Sequence, residues 1–216
     1  MPDLIAAIKA GDADAVEALL ARDPALAACQ EDGIPAVRLA LYHRRPAVLE
    51  ALLAAAPPLD GLDHAALGWA EDLRRDLAAD AELPRRRSAD GFTALHYACF
   101  FGGPAATAVL LEAGADPVAA AQNPSAVQPL HSAAAARDAE AARLLLAAGA
   151  DPDARQAGGF TALHAAAQHD DAALAALLLQ HGADPSLRHD QGADAEAIAR
   201  ASDSVAVLAL LGPPAA

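Results

Sequence analysis

A histidine and a glycine stand 18 positions apart three times in this chain: 96 to 114, 131 to 149, and 164 to 182. The sequence around each histidine is alike: Thr93-Ala94-Leu95-His96, Gln128-Pro129-Leu130-His131 and Thr161-Ala162-Leu163-His164. Each glycine opens the same four residues, Gly-Ala-Asp-Pro, at 114–117, 149–152 and 182–185. From one glycine to the next histidine the distance is 17 residues and then 15 (114 to 131, 149 to 164). A segment of constant length joined by one of variable length marks a stacked repeat, whose insertions go to loops on one face.

Inside a unit the pattern reads as two short helices. In the clearest, Thr161 sits where an N-cap belongs, its hydroxyl placed to accept from backbone N–H groups. A first helix then runs to about His169, and Asp170-Asp171 breaks it, bringing negative charge to the start of a second helix. Leu174, Leu177 and Leu178 mark the buried face of that second helix. Gly182 follows as a left-handed terminator, and Pro185 forbids continuation. Composition agrees: aromatics are only 3 % of the chain against 55 % hydrophobic, so alanine and leucine supply the apolar surface. Both favour helices, and alanine faces suit thin, closely stacked layers.

These stretches resemble the ankyrin repeat, whose signature is Thr-Pro-Leu-His, an Ala-Ala pair, a Gly-His break, an apolar helix and Gly-Ala. Alanine replaces the usual proline at Ala94 and Ala162, while the middle unit keeps Pro129 and loses the threonine. The resemblance implies an all-α solenoid of helix-turn-helix units joined by β-turn or hairpin-like fingers. It implies one domain over 1–216, with three high-fidelity units in 89–188. Residues 31–60 keep the register, Arg38 taking the histidine position and Ala56 the glycine position. Residues 1–30 read as an N-terminal cap with its break at Gly11-Asp12, and 189–216 as a C-terminal cap started by Asp194. Residues 61–88 form a divergent third unit, registered only by Gly68 and Leu77. About seven units result, the end ones atypical because each exposes a face that inner units bury.

The formal net charge of −14 argues against nucleic acid as a partner, since phosphate binding needs a basic face. It favours solubility and a basic or mixed partner. Two distant cysteines, Cys29 and Cys99, fit a reducing compartment. No basic-then-apolar leader opens the chain, and every Leu/Ala run is short or broken by charge or proline. The expectation is a cytoplasmic protein away from membranes, a monomer rather than an obligate oligomer.

Eight histidines raise the question of metal. Equivalent positions in stacked helices lie roughly 10 Å apart, so His96, His131 and His164 cannot converge on one ion that needs ligands near 2 Å. Each is expected to bond its own turn and the next connecting segment instead. Neither a nucleophile motif nor a phosphate-binding glycine run is present, and Cys99 reads as a small buried hydrophobe. No enzyme activity and no cofactor are expected.

The resemblance implies a concave groove lined by first helices and finger tips, and hence an unidentified protein as partner, which the chain regulates or inhibits. Residues just before each break point into it: Tyr42-His43, Ala66-Leu67, Phe100-Phe101, Ala135-Ala136 and Gln168-His169. Successive residues diverge by about 100° on a helix, so one of Phe100 and Phe101 is left half covered or exposed. Tyr42, Leu67 and Phe100 are candidates for one hot spot. Arg85-Arg86-Arg87, the only basic run, offers a docking point for an acidic segment. The longer finger holding Asn123-Pro124-Ser125 is expected to be mobile. The alternative is a small-molecule or enzymatic site in the third unit around Asp63, His64, Trp69, Glu71 and Asp72.

Overall fold

A computed structural model describes residues 2–212. The described residues form an all-α solenoid whose helices pair in chain order. The first pairs are α1 (Pro2–Ala10) with α2 (Ala13–Arg22) and α3 (Ala36–Tyr42) with α4 (Pro46–Ala54). Next come α5 (Gly61–Leu67) with α6 (Ala70–Ala79) and α7 (Ala94–Tyr97) with α8 (Gly103–Glu112). Last are α9 (Pro129–Ala136) with α10 (Ala139–Ala147), α11 (Ala162–Gln168) with α12 (Ala172–Gln180), and α13 (Ala195–Ala201) with α14 (Val205–Leu211). Odd-numbered helices form one layer and even-numbered helices the other, each packing on its counterpart in the neighbouring pair except α4 and α6, which stay apart.

Each pair turns on a left-handed residue, and the chain reverses in two or three positions, or in five between α7 and α8. Gly11, Gly68 and Gly103 do this at φ +79°, +73° and +77°; Arg44, Arg137, Asp170 and Asp203 do it at +52°, +59°, +49° and +54°. The run Ala94–Glu112 is 19 residues long and apolar enough, at mean hydropathy 1.4, to cross a membrane by length and composition. It is two helices, because Gly103 at ψ −175° leaves the helical region and folds α8 back against α7. Between them a wide π-type turn, Ala98–Gly102, carries both phenylalanines.

The core is a column of repeats. Val37, Leu62, Leu95, Leu130 and Leu163 occupy one position of five successive pairs, and all are buried. Each contributes about 1.5–3 kcal/mol. The last pair has half-buried Glu196 there, since its outer face meets water. Buried apolar side chains fall into two clusters, one from Leu4 to Leu52 and one from Leu62 to Val207. At their border the buried guanidinium of Arg38 meets the buried carboxylate of Asp63, Nε to Oδ1, at 2.8 Å.

The connecting segments are fingers. In the first, β1 (Gln30–Glu31) pairs antiparallel with β2 (Ile34–Pro35) across Asp32-Gly33. Both turn residues have positive φ, +51° and +78°, as a tight hairpin matched to strand twist requires.

Candidate functional site

Three buried histidines set the distance between successive pairs and fix the fingers that flank the groove. His96 Nε2 lies 3.0 Å from the Val127 carbonyl, His131 Nε2 3.0 Å from that of Ala154, and His164 Nε2 3.1 Å from that of Leu187. A carbonyl only accepts, so each Nε2 carries the proton and each Nδ1 is left as an acceptor. Nδ1 takes the backbone N–H of Thr93, Gln128 or Thr161 at 3.2, 3.1 and 3.0 Å. The threonine hydroxyls then donate to the same nitrogen, at 2.8 Å for Thr93 and 2.9 Å for Thr161. The Thr161 hydroxyl donates to the imidazole and keeps its lone pairs for the His164 backbone N–H, forming the capping box at the N-cap position the sequence suggested. Gln128 has no hydroxyl to copy this; its side chain faces the His131 backbone N–H, but its buried oxygen makes no close hydrogen bond among the described residues. Burial pushes all three imidazoles toward the neutral form, His96 down to about 4.

The glycines of the repeat end the second helices. Gly114, Gly149 and Gly182 have φ +80°, +95° and +90°, with open space where a Cβ would go.

Backbone hydrogen bonds tie the last four fingers to one another. Gln122 N–H donates to Gly91 at 3.0 Å, Ala157 N–H to Ser125 at 2.9 Å, and Asp190 N–H to Gly158 at 2.9 Å. The finger with Asn123-Pro124-Ser125 is held on both sides, since the Asn123 amide also donates to the Asp90 carbonyl at 2.8 Å. The expected free tip is thus a stacked one; regular finger spacing, invisible in sequence, is the reason.

A groove runs beside these fingers through three adjoining recesses. The central one, about 380 Å³, is walled by Tyr42, Phe92, Tyr97, Phe100 and Phe101, with Ser132 and Gln156 supplying polar edges. A second, about 610 Å³, shares Arg44, Phe100, Phe101 and Ala135 with it and adds Arg45, Leu49 and Arg137. A small third one continues past Phe160 to Gln168. Both Phe100 and Phe101 are half-buried, because the wide π-type turn swings neither into the core. Phe101 packs edge-on against Tyr42 at 5.6 Å and Phe100 edge-on against Phe101 at 4.6 Å.

Under the groove floor Asp90 accepts from the hydroxyls of Tyr42, Tyr97 and Ser88, the Tyr97 bond being 2.8 Å. Burial raises the Asp90 carboxyl, but the three hydroxyls together hold it below the usual carboxylate range. Burial, reinforced by the bond to Asp90, lifts the Tyr42 phenol far above its ordinary value. Tyr42 thereby joins the second helix pair to the fourth across the third.

The structure separates the other expected groove residues. Leu67 lines none of the three recesses; it turns to the N-terminal core cluster, one position before the Gly68 reversal. His43 and His169 are exposed beside the groove and line none of its recesses. Ala66 is buried.

The repeated geometry has a counterpart among protein families. Residues 90–122 match the family model for the ankyrin repeat, and residues 119–189 match the one for ankyrin repeats in three copies. Residues 90–189 belong to the ankyrin-repeat family. No curated protein matches the chain. Ankyrin repeats mediate protein–protein interactions, and the family is typically a non-enzymatic binding scaffold.

Outside the matched ankyrin repeats, the sequence hid one equivalence. Asp60 and Asp63 stand 33 residues before Thr93 and His96, at the same places in α5. Asp60 caps α5, accepting from Leu62 and Asp63 N–H at 2.9 Å each. Arg38, Asp63 and His96 thus succeed one another in a single column. The chemistry changed from imidazole–carbonyl to guanidinium–carboxylate, so a search for the ankyrin signature passes over it.

The Arg85–Arg87 run is less bare than its sequence. Arg86 pairs with Asp80, Arg85 stands 3.7 Å from Glu82, and Arg87 donates to the Gly91 carbonyl at 3.0 Å. Around the alternative site, His64 Nδ1 meets Asp76 Oδ2 at 2.5 Å and stacks on Trp69 at 5.9 Å. The depression by Trp69, Glu71 and Asp72 is a shallow open one, and Asp63 faces Arg38 inside the core. Among the described residues no three His, Cys, Asp or Glu side chains are grouped to hold a metal. Burial pushes the Cys99 thiol up to about 12, which keeps it protonated and inert.

Proposed function

We propose that this chain is a non-catalytic scaffold that regulates or inhibits a partner protein by gripping it in the concave groove. The observation that carries the reading is the aromatic wall of Tyr42, Phe100 and Phe101 over a recess of about 380 Å³. Aromatic residues around a central cavity are the usual anchors of an interface. In a chain with only 3 % aromatics, their concentration at one place supports a site. The finger hydrogen bonds pre-organise the rim, so little ordering entropy is lost on binding. The scaffold reading extends the ankyrin architecture to all seven helix pairs, the first and last acting as caps, in a cytoplasmic monomer. The shallow, open depression at Trp69 supports this reading over a self-contained site near His64.

The test is affinity capture from the native host with the wild type and with the Tyr42→Ala, Phe100→Ala double variant, quantified by mass spectrometry. Proteins captured by the wild type and lost from the variant are the expected result. An identical captured set would overturn the groove as the binding site.

A further inference from the structure

We infer that the groove takes a segment carrying a large apolar side chain flanked by carboxylates, although the protein itself is strongly acidic. This rests on the scaffold reading above and adds the partner's chemistry. Its basis is how charge is distributed around the groove. The chain has 29 acidic residues against 15 basic ones, yet not one Asp or Glu lines the three recesses among the described residues. Arg44, Arg45 and Arg137 do line them.

The nearby carboxylates are already engaged: Asp90 lies under three hydroxyls, and Asp171 stands 3.7 Å from Arg137. Arg44 and Arg137 are exposed, whereas Arg45 donates through Nη2 to the Lys9 carbonyl at 3.1 Å and lies over Gly11, so Arg44 and Arg137 are the arginines open to a ligand. Arg44 and Arg137 also occupy left-handed positions, at φ +52° and +59°, where glycine fits without strain. Two of the four non-glycine residues at these turns are thus arginines, and both open on one recess.

The apolar half of the recognition comes from the aromatic recess beside Arg44, whose volume sits at the small end of ligand-sized cavities. The net charge of −14 does not oppose this at physiological salt. Charges beyond roughly 8 Å are screened there, so the local field is set by the groove arginines, offset at Arg137 by Asp171 3.7 Å away.

A phage library of random dodecapeptides, selected on the immobilised full chain, tests the inference; selected sequences are then made as labelled peptides for fluorescence polarisation. The expected peptides combine Trp, Phe or Leu with Asp or Glu. They should weaken about ten-fold on the Arg44→Gly, Arg137→Gly double variant, whose glycines suit both turns. They should also weaken on Phe100→Ala and in high salt, with the helical circular dichroism of both variants unchanged. Selection of lysine- or arginine-rich peptides that still depend on Phe100 would overturn the acidic partner and leave the groove standing. Peptides indifferent to Phe100→Ala would overturn both. Acidic peptides that bind equally well without an apolar residue would reduce the effect to ion pairing and overturn the inference. A dimer in sedimentation that Phe100→Ala dissolves would give the groove to a second copy of the chain, with the same consequence.

Discussion

Arg38 and Asp63 occupy the same position in consecutive helix pairs and meet there as a buried ion pair, Nε to Oδ1, at 2.8 Å. Further along the stack that position holds a histidine bonded to the next finger. Removing Asp63 leaves the buried Arg38 guanidinium with only Asp60, 3.6 Å away and half exposed, so Asp63→Ala should cost about 3 kcal/mol. Replacing both, as Arg38→Met with Asp63→Leu, should be near neutral or stabilising, because the desolvation cost of two ions disappears with their attraction. Urea unfolding of the three proteins checks this, and equal losses in the single and double variants would contradict it.

Acid should unfold the repeats through His96. Burial holds its imidazole near pKa 4, below the ordinary 6.5, so the unfolded chain takes up the proton first. Stability is complete above the unfolded value and is lost as pH falls from 6.5 toward 4. From pH 7.5 to 5 this one group should remove about 2 kcal/mol. Urea midpoints of the wild type and His96→Gln at the two pH values isolate the effect: the variant should show the smaller drop. His131 and His164 shift in the same direction and add to the drop in both proteins.

Gln128→Thr should stabilise the protein. The buried oxygen of the glutamine makes no close hydrogen bond among the described residues, whereas Thr93 and Thr161 place a hydroxyl on the imidazole in the equivalent position. Relief of one unsatisfied acceptor amounts to about 1 kcal/mol or more. A raised melting temperature is the expected observation, and a lowered one would show that the glutamine packs better than its hydrogen bonding implies.

Two classes of glycine should respond differently to alanine. A Cβ at Gly102 would lie 2.0 Å from the Ala65 carbonyl oxygen, and one at Gly68 would lie 2.4 Å from that of Gly102. Backbone cannot retreat there without separating α5 from the wide turn, so either change should cost at least about 2 kcal/mol. Gly114→Ala meets open space and suffers only the left-handed conformation, about 1 kcal/mol. Thermal unfolding of the three variants ranks them.

The stack itself was legible because its rules are local. A constant 18-residue spacing, a left-handed glycine and an alanine–leucine helix are each fixed by neighbours in sequence, so register could be carried to Arg38 and to Ala56, which adopts φ +48° where a glycine is usual. Asp63 escaped as the histidine equivalent because its bond to Arg38 spans 25 positions and uses different chemistry. Phe100 and Phe101 could be marked as groove residues, but their shared half-burial depends on a π-type turn that no periodicity encodes. Leu67 was assigned to the groove by position alone and packs into the core instead. By itself, then, the sequence determined the unit, its repetition and its family, since these are properties of short segments. Only the tertiary structure decided which side chains share a surface. Curvature brings Tyr42 to Tyr97, centroids 6.3 Å apart across an intervening pair, and gathers three arginines at one groove of an acidic protein. Distances between units come from stacking, and stacking is a sum of packing contacts no single segment contains.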